Sequence, residues 1–124
     1  MSKIIDGNYE YVQSITNWIN PNENIQFDLL YRLSENGEKF SNFHLLCDNK
    51  GPTISLFHVN DDNKYGIYTP LSWDSNSGWK NDMNTFIFSL TKNKKYKKLK
   101  IDMSIFCKKY WNICIWPRKS RNFF

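Results

Sequence analysis

Apolar positions recur along this chain with two different periods, and the change of period marks its elements. In "NYEYVQSITNWINP", Val12, Ile15, Trp18 and Ile19 fall at helical spacing, which predicts an amphipathic helix over 8–20. Asn8 is the expected N-cap and Pro21 the stop. "FDLLYRL" predicts a strand closed by the turn-forming "SENG". "EKFSNFHLLC" places Phe40, Phe43 and Cys47 on one helical face beside Leu46, predicting a second, short helix.

After "GPT" the period shortens. "TISLFHV" sets Ile54 and Leu56 on one side and Phe57 and Val59 on the other, as in a strand covered on both faces. "NDDN" is a turn cluster, and "KYGIYT" reads as the returning strand of a hairpin. Gly66 within it predicts a bulge or a close approach of another backbone. "TFIFSL" and "LKIDMSIF" are further strands, separated by the lysine-rich "TKNKKYKK". Short helices followed by hairpin-linked strands predict an antiparallel α+β fold or a sandwich with attached helices.

Composition narrows the class. The 124 residues are 40% hydrophobic and 17% aromatic, enough for one domain with a modest core. No run is apolar enough for a helical membrane span, and the start lacks a basic region followed by an apolar stretch. Cys47, Cys107 and Cys114 are an odd count without scaffold spacing, read as reduced thiols in the cytosol. The net charge of +5 hides a division: residues 1–91 hold six basic and eleven acidic residues, whereas 92–124 hold eleven basic residues and Asp102 alone.

Candidate chemistry is sparse. His44 and Cys47 have a metal-compatible i, i+3 spacing, but only Asp48 and His58 are candidates to complete a ligand set, so a core cysteine and a half-buried histidine are expected, without metal or cofactor. Ser72, Ser75, His44, His58 and Asp74 could supply a hydrolytic triad in composition, yet no nucleophile elbow or phosphate loop is present. Asp61 and Asp62 fit solvated turn chemistry. Cys107, beside Lys108 and Lys109, has the better setting for a redox-active thiol. The expectation is a protein that is not an enzyme.

Two surfaces remain. In "SWDSNSGWKND", Trp73 and Trp79 are expected to fold back over the sheet, with each indole N–H donated to a backbone carbonyl. The alternative makes Trp73, Asp74, Trp79 and Lys80 a surface for a protein partner. Lys94, Lys95, Lys97 and Lys98 form a candidate anionic-partner surface, expected as a solvated hairpin connection. Residues 108–124 mix Tyr110, Trp111 and Trp116 with cations, which suits an anionic membrane or, less well, nucleic acid. The plainer reading is a terminal strand with Trp111, Ile113 and Ile115 on one face, then a basic tail.

"LLYR", the Phe-His helix leading to "CDNKGPT", "GIYT", "SWDS", the further Trp79-Lys80 and "FIFSL" occur in an order that resembles the TLDc domain, the module of oxidation-resistance proteins and nuclear receptor coactivator relatives. The resemblance is strong over 29–90 and defines a domain at 1–107. It implies an antiparallel two-sheet sandwich with flanking helices, no cofactor, resistance to oxidative stress and binding to the vacuolar proton-pumping ATPase. It brings no catalytic residues. Beyond Cys107 the family's "YGPxFG"-type stretch and closing strands have no counterpart, so the domain is expected to be truncated, with 108–124 a divergent basic aromatic tail. An unfinished sandwich would leave an open sheet edge.

Overall fold

A computed structural model of the chain describes residues 7–59, 63–74, 84–96 and 113–119. Helix α1 (Tyr9–Ile19) begins as its sequence predicts: the Asn8 side chain accepts from the Tyr11 N–H at 3.1 Å. Strand β1 (Ile25–Arg32) follows. "SENG" is not a simple turn, because Leu33–Asn36 form a one-turn helix, α2, and Gly37 ends it at φ 83°. Helix α3 (Phe40–Cys47) then leads into the hairpin of β2 (Thr53–Val59) and β3 (Asn63–Thr69). Strands β4 (Phe86–Ser89), β5 (Lys94–Tyr96) and β6 (Ile113–Lys119) complete the described elements.

The fold is antiparallel α+β, as expected. All six described strands belong to one sheet of order β1-β6-β2-β3-β4-β5. The layers covering its faces are helices and a loop; a second sheet is not found among the described residues. β6 is the least local element. It enters between β1 and β2 and pairs with both. The chain at 113–119, read either as part of a basic tail or as a terminal strand, is a strand in the interior of the sheet. β2 pairs only with Ile113–Ile115, so Pro117 falls where β6 has β1 alone as partner.

A register shift in β1 decides which residues meet. Leu29 pairs with Ile115, but Tyr31, two residues on, pairs with Cys114, so Leu30 is an extra residue in the ladder. Without that bulge, Phe27, Leu29 and Tyr31 would share one face. With it, Phe27 packs on the α1 face and Tyr31 turns to the other.

The α1 face buries Ile15, Ile54, Leu56, Phe86, Phe88 and Leu90. Trp18 stacks obliquely on Phe88, with centroids 5.4 Å apart. Gly66 lies between Leu56 and Phe88 in register, without a bulge. A Cβ at Gly66 would enter the space of the Phe88 ring. The close approach predicted there comes from a side chain and not from another backbone. The opposite face buries Tyr31, Phe43, Cys47 and Trp73. β2 runs between the two clusters, and Thr53 through Phe57 are all buried, as apolar positions on both of its sides predict.

Candidate functional site

The loop that raised the question of partner binding can be followed as far as Asp74. Trp73 is 5% exposed. Its ring meets Phe43 edge-on at 5.7 Å, and Phe43 meets Tyr31 edge-on at 5.4 Å, an arrangement that aromatic quadrupoles favour. The indole N–H donates to the Thr53 hydroxyl at 2.8 Å. The expected backbone carbonyl is thus replaced by a side chain twenty positions away. Trp73 is internal packing.

The backbone around Trp73 is tied to the turn after α3. Asn49 adopts φ 58° and donates its N–H to the Trp73 carbonyl at 2.9 Å, and Asp48 and Trp73 form an isolated parallel bridge. Gly51, at φ 81°, donates its N–H to Ser72 Oγ at 2.9 Å. The left-handed positions at Asn49 and Gly51 turn the amides of "CDNKGPT" toward "LSW". These two motifs, distant in sequence, form one clasp. Asp74, half-buried, follows immediately and is itself engaged. Trp79, Lys80, Ser75, Asp61 and Asp62 lie outside the described residues.

The residues that could carry chemistry are placed as follows. Cys47 is fully buried within the aromatic cluster. His44 Nδ1 is 2.8 Å from Asp48 Oδ1, within hydrogen-bonding distance. Ser72 is held by Gly51. His58 is exposed near the end of β2. No group of three potential metal ligands converges among the described residues. Cys107 lies outside them, and Cys114 is described only as a backbone position in β6. Tyr31 donates its hydroxyl to the Gly37 carbonyl at 2.6 Å, and burial, then the charges of Cys47 and Glu38, raises its hydroxyl above the usual tyrosine value.

The lysine-rich surface is partly described. Lys92 lies in the β4–β5 turn, where Asn93 takes φ 49°, and Lys94 and Lys95 are in β5. A solvated connection was expected; the turn is in fact confined to residues 90–93, and the chain returns as an edge strand pairing Ile87 with Tyr96, Phe88 with Lys95 and Ser89 with Lys94. Lys95 Nζ sits 4.3 Å from the Phe86 ring centroid, and Lys94 Nζ 5.3 Å from that of Tyr96. Lys64, which sequence reasoning did not single out, lies over Tyr11 at 5.3 Å. Its place beside α1 follows from strand register and has no local signal. Lys97 and Lys98 are outside the described residues.

The family model of the TLDc domain matches residues 2–115. The chain belongs to the TLDc domain family. No curated protein matches it. The TLDc match runs beyond Cys107 and reaches the first residues of β6, in keeping with the pairing of that strand inside the sheet. No helix among the described residues is long and apolar enough to cross a membrane.

Proposed function

We propose that this TLDc domain is a non-enzymatic protein-interaction module of the cytosol that contributes to resistance to oxidative stress by docking onto the vacuolar proton-pumping ATPase. The non-enzymatic part of the reading is supported by how the clasp uses its reactive residue types, and the pump as partner by membership of the TLDc family alone. Trp73, Thr53, Ser72, His44 and Asp48 bond to one another or to backbone, and Cys47 is enclosed by aromatic rings. Groups locked in such contacts shape a rigid surface and are poorly placed to approach a substrate. The test is co-elution of the purified chain with the isolated cytosolic sector of the pump. A stable complex is expected; a folded chain that elutes alone at micromolar concentrations, where typical specific contacts form, overturns the reading.

A second reading, binding of an anionic membrane or nucleic acid through residues 92–124, draws on the exposure of Lys92, Lys94 and Lys95. It predicts steep loss of affinity for phosphatidylserine vesicles or single-stranded oligonucleotides as salt rises. Affinity that ignores salt would remove it.

A further inference from the structure

Asn36 is the one asparagine in the sequence followed directly by glycine, in "SENGEKF". That dipeptide has a chemistry of its own. The amide nitrogen after an asparagine can attack the side-chain carbonyl carbon, and glycine, with no Cβ, neither shields that nitrogen nor restricts the backbone that carries it there. A bond forms between Asn36 Cγ and the Gly37 nitrogen, the Cγ–Nδ2 bond breaks, and ammonia leaves with the proton of the Gly37 amide. Water then opens the resulting succinimide at one carbonyl or the other, which gives an aspartyl or an isoaspartyl linkage. No other reactant is needed.

In the folded chain this dipeptide is tied down at four polar groups. Asn36 Oδ1 accepts from the Arg32 N–H at 2.8 Å, which fixes the orientation of the side-chain amide. The Asn36 carbonyl accepts from Asn42 Nδ2 at 2.8 Å. The Gly37 N–H, the nucleophile, donates to the Leu33 carbonyl at 3.0 Å, and the Gly37 carbonyl accepts from the Tyr31 hydroxyl at 2.6 Å. The corner is nevertheless at the surface: α2 is a single turn, and Glu35, Gly37, Glu38 and Lys39 are exposed. Exposed single turns open at far lower free energy than a packed core. We propose that Asn36 is a deamidation site gated by the α2 corner, where opening frees the Gly37 amide to react and the isoaspartyl product makes the opening permanent. That product routes the main chain through Cγ and adds a backbone carbon before Gly37. The Gly37 N–H then cannot regain Leu33 while its carbonyl regains Tyr31. Tyr31 packs with Phe43, Cys47 and Trp73, so a change at an exposed turn reaches a buried cluster. The aspartyl product leaves the main chain unaltered, and its carboxylate still accepts from Arg32.

The experiment keeps the full chain in mildly alkaline buffer, folded or in urea, and follows Asn36 by peptide mass mapping with isoaspartyl methyltransferase labelling. In urea Asn36 should convert before every other asparagine. Gly37→Ala should slow that reaction several-fold, a comparison that holds whether or not the variant folds. The folded chain should convert at least about tenfold more slowly than the chain in urea. Asn42→Ala, which removes one tie, should speed conversion of the folded chain, and a retained thermal transition shows that the variant folds. Phe88→Leu, a core change on the opposite face, should leave the rate of the folded chain unchanged if the opening is confined to the corner. The purified isoaspartyl form should melt below wild type, whereas Asn36→Asp should melt close to it. Equal rates in the folded chain and in urea overturn the proposal, as does earlier conversion of another asparagine in urea. So do an Asn42→Ala rate equal to that of wild type, equal acceleration by Phe88→Leu, and an isoaspartyl form that melts with wild type.

Discussion

On the α1 face, the buried side chains Ile15, Ile54, Leu56, Phe86, Phe88 and Leu90 contain no group that forms a strong hydrogen bond. On the other face, Tyr31 and Trp73 each combine a buried ring with a donor, and each donor is satisfied, by Gly37 and by Thr53. The first face can specify its structure only by volume and shape. The second adds direction: the indole must point at one hydroxyl, and the phenol at one carbonyl. One sheet thus carries a core that tolerates chemical change of equal volume and another that tolerates little of either.

The largest expected effect lies on the α1 face and tests whether shape alone governs it. Phe88 is fully buried, and its ring fills the room that Gly66 leaves. Phe88→Ala should cost about 3–5 kcal/mol by urea unfolding, from lost transfer energy and the cavity left behind. Gly66→Ala should cost about 1–3 kcal/mol by overpacking against the same ring. If volume is the only currency on this face, Phe88→Leu should relieve part of the Gly66→Ala cost, and the double variant should be more stable than the sum of the two single losses predicts. Strict additivity would break that account.

On the α3 face the matching test removes a donor while keeping a ring. Trp73→Phe should cost about 1–3 kcal/mol, and Thr53→Val, which removes the acceptor at similar volume, a similar amount. Combining them should cost less than the sum, because each removes the same bond. Full additivity would mean that the indole contributes bulk alone, and the contrast between the faces would disappear.

How far each face could be read from the sequence follows from the range of its contacts. α1 was legible because its cap, period and stop all lie within fourteen residues, "NYEYVQSITNWINP". β2 was legible because apolar residues fall on both its sides, Ile54 and Leu56 on one and Phe57 and Val59 on the other, so neither face could be left to solvent. The packing role of Trp73 could be foreseen from a large ring flanked by turn residues, but not its partner, since nothing local ties it to Thr53. The position of β6 between β1 and β2 is set by pairings across most of the chain. The bulge at Leu30, which moves Tyr31 to the second face, has no signature in "LLYR". Edge strand β5 was hidden because lysines usually indicate a loop, and only pairing with β4 shows that they stand on a strand.

The smallest effect separates the faces by proton uptake. The Tyr31 hydroxyl is raised above the usual tyrosine value near 10 by burial, then by Cys47 and Glu38. The folded chain therefore keeps the phenolic proton to higher pH than the unfolded chain does. Below about pH 10 both states are protonated and Tyr31 gives no pH dependence. Above it the unfolded state deprotonates first, so stability falls as pH rises through the unfolded value toward the folded one, by at most about 1.4 kcal/mol per pH unit for one proton. Tyr31→Phe should cost about 1 kcal/mol at neutral pH, from the bond to Gly37. It should also remove the alkaline loss, so urea midpoints of wild type and variant should converge between about pH 9 and pH 11. Phe88→Leu, on the face with no titrating group in its buried set, should instead run parallel to wild type across that range. Convergence of that variant as well would assign the alkaline loss to the whole domain and not to the hydroxyl at Tyr31.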